Sequence, residues 1–159
     1  MTAAPSLFDV TPALRLTYDV GSERSPVDPF GRTLLVLTGT GSAELTVRSA
    51  RRSPGAWQGH LDLSVLARVL GALHRAGFPS TVSSQVFVPD ATIGRIQLEQ
   101  GEIQAHVSLD RYRAEKMPGY GEAYAVLDAL AFLLSGGTTA PPRPDLPLPQ
   151  AITHVKPLI

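Results

Sequence analysis

Alternation of apolar and polar residues with a period of two is the pattern that most constrains this chain. It runs over residues 14–20 and again over residues 43–48. Successive side chains of a β-strand point to opposite faces of the sheet, so this alternation is typical of strands with one buried and one solvated face. Sheets with one solvated face are commonly antiparallel. We therefore expect an antiparallel sheet whose second face is polar.

A third alternating segment predicts a β-hairpin in the second half of the chain. With residues 100–101 as a two-residue loop, Leu98 would face Ile103 and Ile96 would face Ala105. Apolar residues would then pair with apolar ones, as a single buried face requires. The same register places two glutamates opposite each other, which a longer loop would avoid. Residues 81–88 also have strand propensity.

Two segments carry apolar residues at helical spacing. Residues 63–76 follow Asp62, a favourable N-cap residue, and end before Gly77. A second helix is expected over residues 122–134. The order of strands, helix, strands and helix predicts a two-layer α+β fold: an antiparallel sheet of five or six strands with two helices packed on one face.

Chain length and proline content predict the domain organisation. A chain of 159 residues has the usual size of one domain. We expect a single α+β domain over residues 1–137 and a proline-rich C-terminal tail over residues 138–159. The prolines between 141 and 149 favour an extended, polyproline-like conformation. Residues 151–155 are compatible with one further strand.

Charge and cysteine content exclude several classes of site. The chain has 14 basic and 14 acidic residues, a formal net charge of +0. Nucleic-acid binding is therefore disfavoured, because phosphate neutralisation requires a basic excess. Cysteine is absent, which excludes disulfides, thiolate metal sites and cysteine nucleophiles. We expect no cofactor and no metal.

The composition and the N-terminal residues also suggest where the protein works. Residues 1–9 lack the features of a signal peptide, and no apolar run reaches the roughly 18 residues of a membrane-spanning helix. We therefore expect a cytoplasmic protein without a membrane partner. Abundant Ala, Gly, Pro and Arg, with few Lys, suggest a bacterial source with a GC-rich genome.

One strand places Gln104, His106, Ser108 and Asp110 on the same face. A catalytic triad needs side chains that converge from separate elements. Alternate residues of one strand instead stand nearly parallel, with Cα atoms roughly 6.5–7 Å apart. We therefore interpret these residues as part of a solvated sheet face. The residues expected on that polar face are Arg15, Thr17, Asp19, Glu44, Thr46, Arg48, Gln97, Gln104, His106 and Ser108.

His60, Asp62 and His74 carry side chains that can ligate a metal. No His-x-x-x-His or similar spacing supports a site, and Asp62 is better explained as a helix cap. Asp128 is the more informative acid because it lies among leucines on the second predicted helix. If buried, it must be hydrogen-bonded or protonated, and it could then be functional.

The residues predicted to form an interaction surface are arginines with neighbouring aromatic or imidazole groups. They are Arg48, Arg51, Arg52, His106, Arg111, Tyr112, Arg113 and Tyr120. Arginine and tyrosine are enriched at protein interfaces. Since no convergent reactive set is found, our leading hypothesis is a non-enzymatic protein-binding module: an adaptor, a chaperone-like protein or an inhibitor of the immunity type. A homodimer is compatible with this hypothesis.

The alternative is a small-ligand-binding or enzymatic domain with a pocket between sheet and helices. His60, His74, His106, Tyr124 and Asp128 would then be the groups of interest.

Overall fold

The computed structural model describes residues 6–21, 31–49, 52–80, 92–139 and 151–158. The strands are β1 (Leu14–Val20), β2 (Arg32–Thr38), β3 (Ser42–Ser49), β4 (Arg52–Leu61), β5 (Ile93–Gln100), β6 (Ile103–Asp110) and β7 (Ile152–Pro157). The helices are α1 (Leu63–Ala76), the single turn α2 (Arg111–Ala114) and α3 (Tyr120–Leu134). The strands form one sheet in the order β6-β5-β1-β2-β3-β4-β7, and every neighbouring pair is antiparallel.

The predicted α+β class, with an antiparallel sheet and two long helices on one face, is confirmed. The sheet has seven strands rather than five or six. β7 lies where the sequence is compatible with one further strand, and it pairs with β4 so that Ile152 lies opposite Leu61. Ala151 before it is only 2 % exposed. The chain therefore returns to the sheet within the predicted tail. The prolines at 141–149 and the predicted strand at 81–88 lie outside the described residues.

The alternating strands place one set of side chains in the core. Leu16, Tyr18, Leu35 and Leu37 are fully buried on the face that carries the helices. Burying one such leucine stabilises the fold by about 1.5–3 kcal/mol relative to leaving it exposed. α3 is buried on most of its sides, whereas α1 buries a single stripe. α3 is therefore the central helix of the helical layer.

Local signals define both ends of α1. The side chain of Asp62 accepts a hydrogen bond of 2.9 Å from the backbone N–H of Ser64. Gly77 has a φ of 86°, and its N–H donates to the carbonyl of His74. Glycine adopts this left-handed conformation without steric cost. The predicted bounds of 63–76 are confirmed. No helix in the described ranges has the length and apolar character needed to cross a membrane.

The β5–β6 hairpin forms with a register that differs from the predicted one. Its two-residue loop is 101–102 rather than 100–101. Leu98 consequently pairs with Ala105, and Ile96 pairs with Val107. Each strand keeps its predicted buried face, because the change preserves the alternation.

Turn chemistry explains the observed hairpin register. Gly101 has a φ of 61° and takes the first loop position, where hairpin turns of type II′ require glycine. Glu99 lies opposite Gln104 rather than Glu102. The observed register thus removes the pair of facing glutamates, which would repel each other.

Candidate functional site

The long helices leave the opposite face of the sheet without a helix in the described part of the chain. We call this surface the open face. It includes Arg15, Thr17, Asp19, Arg32, Leu34, Val36, Thr38, Glu44, Thr46, Arg48, Gln58, Ile93, Arg95, Gln97, Glu99, Gln104, His106 and Ser108. All residues predicted for the polar face belong to it. The two apolar residues at its centre, Leu34 and Val36, are half-buried.

Cross-strand pairing sets the order of groups across the centre of the open face. Thr17 lies opposite Val36, which in turn lies opposite Glu44. In the adjacent row, Leu34 lies between Asp19 of β1 and Thr46 of β3. The centre of the open face is therefore a small apolar patch, and polar groups surround it.

Several polar side chains of the open face hold one another in place. Arg32 donates to both carboxylate oxygens of Asp19, at 2.9 Å from Nε and 2.6 Å from Nη2. Gln97 donates to Glu99 at 2.9 Å and to Gln104 at 3.3 Å. The bidentate arginine–carboxylate geometry is directional. These contacts give the open face a preset arrangement of charge.

A buried polar cluster lies on the other side of the sheet. The Tyr18 hydroxyl donates a hydrogen bond of 2.7 Å to Oδ1 of Asp128, and Arg111 forms an ion pair with Oδ2 of the same carboxylate. The Asp128 side chain is 14 % exposed and that of Arg111 is 27 % exposed. This Tyr18–Asp128–Arg111 cluster joins β1, α2 and α3. Asp128 is thus buried and hydrogen-bonded.

Burial controls the protonation of this cluster. Burial raises the pKa of Asp128, while the charge of Arg111 and the hydrogen bond from Tyr18 partly oppose that rise. Burial, followed by the charge of Asp128, raises the pKa of Tyr18 well above its ordinary value. Burial lowers the pKa of Arg111, but interactions with Tyr18 and Asp128 outweigh this and raise it. At neutral pH, Tyr18 is therefore a neutral donor and Arg111 a cation.

Tyr124 extends the cluster toward β5. Its ring meets the ring of Tyr18 edge to face, with centroids 5.6 Å apart. Its hydroxyl donates to the carbonyl of Gly94 at 2.6 Å, and burial raises the pKa of this hydroxyl. A Cβ at Gly94 would lie 2.5 Å from the Tyr124 ring. Gly94 is therefore required for this close approach.

The predicted interaction residues do not come together in one patch. Arg48 and His106 are both exposed on the open face, but the strand order separates β3 from β6 by about 19 Å, at about 4.8 Å per strand. Arg111 points into the cluster on the helical side. Tyr120 is only 1 % exposed, so its predicted place on an exposed surface is corrected: it begins α3 inside the core.

The other predicted interaction residues are Arg51, Arg52, Tyr112 and Arg113. Arg113 is exposed on α2. Arg52 lies in β4 and Tyr112 in α2, and only their backbone is described. Arg51 lies outside the described residues. The interaction-surface hypothesis for these side chains stays a prediction.

The structure separates the residues considered as metal ligands. Asp62 caps α1, and hydrogen bonds from Ser64 lower the pKa of its carboxyl. The His74 ring packs against Phe8, with centroids 4.8 Å apart. The His60 ring instead lies beside His154, at 5.0 Å. The described ranges contain no group of three or more His, Asp or Glu arranged to hold a metal ion.

The described residues line two surface clefts that contain charged or imidazole side chains. One, of about 410 Å³, lies between α1 and residues 115–122. There Glu122 accepts hydrogen bonds of 2.9 Å from both Arg68 and Arg75. The other, of about 350 Å³, lies at the β2–β3 turn and includes His60. In the first cleft, the glutamate already neutralises part of the arginine charge.

Sequence reasoning did not single out Tyr18 or His154. For Tyr18 a signal existed: a tyrosine at an inward position of an alternating strand has a hydroxyl that needs a buried partner. Asp128, singled out as a buried acid, is that partner. For His154 no signal existed, because its neighbour depends on the pairing of β7 with β4.

Comparisons with known proteins do not assign a family. No protein-family model matches the chain, and a search of curated proteins finds no significant relative.

Proposed function

We propose that this protein is a non-enzymatic protein-binding module that contacts its partner through the open face. The observation that carries the proposal is the placement of both long helices on one side of a seven-stranded sheet. The fold thereby presents a broad, ordered surface of mixed charge. An adaptor, a chaperone-like protein or an inhibitor of the immunity type would use such a surface.

The size of the open face supports this proposal. Strands lie about 4.8 Å apart and rise about 3.4 Å per residue, so five or six strands of six or seven residues cover roughly 500–700 Å². A typical specific interface buries about 800 Å² on each partner. The open face is therefore close to the size that a stable one-to-one complex needs.

The composition of the open face also supports protein recognition. Leu34 and Val36 form a small apolar centre, and charges of both signs surround it, among them Arg15, Arg95 and Glu44. Protein interfaces commonly combine a less charged centre with a polar rim. Charge of both signs favours a partner with a complementary pattern, because electrostatic complementarity contributes to specificity.

The proposed partner is another bacterial protein, and the proposed compartment is the cytoplasm. The lack of cysteine in all 159 residues supports a reducing compartment.

The proposal is tested by capturing partners from the source lysate with the parent protein and with two variants. Val36→Arg places a long charged side chain at the centre of the open face. Leu133→Arg makes the same kind of change at a 43 % exposed position of α3. We expect the parent protein and the Leu133→Arg variant to retain the same stoichiometric partner, and Val36→Arg to lose it. Equal capture by all three proteins would contradict binding through the open face.

One observation favours the second candidate function, a ligand-binding domain. Nε of Arg111 is buried and has no hydrogen-bond partner among the described residues. A small anion that entered between α2 and α3 would find a donor there. A thermal-shift series with inorganic phosphate, nucleotides and carboxylic acids tests this candidate. The ligand-binding candidate predicts a shift in melting temperature that Arg111→Gln abolishes. The absence of any shift would reject this candidate.

A further inference from the structure

We propose that His60 and His154 together bind a divalent transition-metal ion at the β4–β7 edge of the sheet. Their imidazole rings have centroids 5.0 Å apart and an interplanar angle of 59°. Both side chains are exposed, so an ion can reach them from solvent. Neutral imidazole is a common ligand of Zn²⁺, Cu²⁺ and Ni²⁺.

The separation of the two rings fits one shared ion. A bond of about 2.0–2.1 Å from metal to nitrogen places an imidazole centroid about 3.2 Å from the metal. Two centroids separated by 5.0 Å then subtend an angle of roughly 100° at the ion, near the tetrahedral value that zinc prefers. Rotation about the side-chain bonds can direct one nitrogen of each ring toward that point.

The backbone at His154 provides a second, independent observation. The pairing of β4 with β7 shifts between Gln58 and His60, so that two residues of β7 lie opposite one residue of β4. His154 is one of those two, and its φ of 53° is the only positive φ of a non-glycine residue in the described ranges. A side chain with a Cβ disfavours this conformation.

The β-bulge of β7 and the positive φ of His154 are features that often occur at functional sites. β-Bulges re-aim side chains, and disfavoured backbone conformations concentrate at functional sites. The bulge of β7 accompanies the placement of the His154 ring beside His60. Histidine is among the non-glycine residues enriched in this conformation, so it is the φ together with the neighbouring His60 ring that supports the proposal.

The ligand set predicts the metal preference. Two imidazoles bind the ion, and solvent or a group from another molecule fills the other positions, since the described residues hold no third His, Asp or Glu in such a group. Affinity should then follow the general order for divalent ions, with Cu²⁺ bound more tightly than Ni²⁺ or Zn²⁺. Open positions on the ion would also allow an exogenous ligand to bind.

Calorimetric titration of the untagged full chain with Cu²⁺, Ni²⁺ and Zn²⁺ tests the site. We expect one Cu²⁺ per chain and weaker binding of the other two ions. His60→Ala and His154→Ala should each lower the Cu²⁺ affinity at least tenfold. His106→Ala is the matched control, because His106 is also exposed on a strand but lies on β6. It should bind Cu²⁺ as the parent protein does.

His154→Gly separates loss of the imidazole from loss of the fold. Glycine accepts the positive φ, so circular dichroism and melting temperature should match or exceed those of the parent protein while Cu²⁺ binding falls. Trp57, the only tryptophan, gives a second readout, since Cu²⁺ bound at the nearby His60 should quench its fluorescence. Unchanged Cu²⁺ affinity in His154→Gly, or an equal loss in His106→Ala, would overturn the proposal.

Discussion

The hydroxyl of Tyr18 donates a hydrogen bond of 2.7 Å to Asp128, a residue 110 positions later in the chain. This hydrogen bond connects the central helix α3 to β1 in the middle of the sheet. Because Arg111 neutralises the same carboxylate, the cluster combines a hydrogen bond with an ion pair in a mostly buried place. The Tyr18–Asp128–Arg111 cluster stabilises the helical layer on one side of the sheet. The opposite side is the open face, which carries no helix in the described ranges.

Replacing Asp128 with Ala should destabilise the protein by about 2–4 kcal/mol, because it leaves both a buried hydroxyl and a largely buried guanidinium without a partner. Tyr18→Phe removes only the hydroxyl and should cost about 1–2 kcal/mol. Urea unfolding measures both. The double variant should lose less than the sum of the two single losses, since both substitutions break the same bond. Strict additivity would show that the two groups do not interact.

A pH dependence is expected from Glu122 at the start of α3. The hydrogen bond from Arg68, followed by that from Arg75, lowers the pKa of this carboxyl. The unfolded chain therefore binds its proton more readily than the folded one. The stabilisation is present above the ordinary glutamate pKa of about 4.3 and is lost as pH falls through the lowered folded value.

Comparison of the parent protein with Glu122→Gln isolates this contribution to the pH dependence. The side chains of Glu122 and Arg68 are 35 % and 37 % exposed, so the expected contribution is under about 1 kcal/mol. Above pH 5, Glu122→Gln should be less stable than the parent protein, and the difference should shrink toward pH 3 and in high salt. A difference that grows on acidification would contradict the assigned sign.

Gly94→Ala should be destabilising by about 1–3 kcal/mol, because the added Cβ would lie 2.5 Å from the Tyr124 ring. Gly71→Ala is the matched control. Gly71 lies within α1, and a Cβ there meets only the end of the Arg75 side chain, at 3.4 Å. Since alanine favours helix over glycine, that substitution should stabilise by about 0.5–1 kcal/mol. Thermal unfolding of both variants checks the opposite signs.

Local patterns explain which parts of the fold were predictable. Asp62, Gly77 and the apolar stripe between them are neighbours in sequence, and they define α1 completely. The alternation along β1 and β3 predicted the open face, because alternate residues of a strand share one face whichever residues of the neighbouring strand they pair with. The β5–β6 loop was misplaced by one residue, since the pairing pattern tolerates either position and the conformation of Gly101 decides between them.

Long-range pairing explains what the local patterns left undecided. β7 has one half-buried residue and is otherwise exposed, so it lacks the alternation that identifies a strand, and its partner β4 is distant in sequence. Tyr120 follows a loop with several basic residues, a context typical of interfaces. α3 begins at Tyr120 rather than at residue 122, which places this ring in the core.

Hydroxyl-radical footprinting of the protein with its captured partner tests the central claim most directly. Oxidation reports the solvent accessibility of individual side chains, and Leu34 and Val36 mark the centre of the open face while the exposed Leu63 and Leu133 mark the helical side. The account predicts that partner binding protects Leu34 and Val36 and leaves Leu63 and Leu133 unchanged. Protection of the two helical leucines, with continued oxidation of Leu34 and Val36, would contradict it.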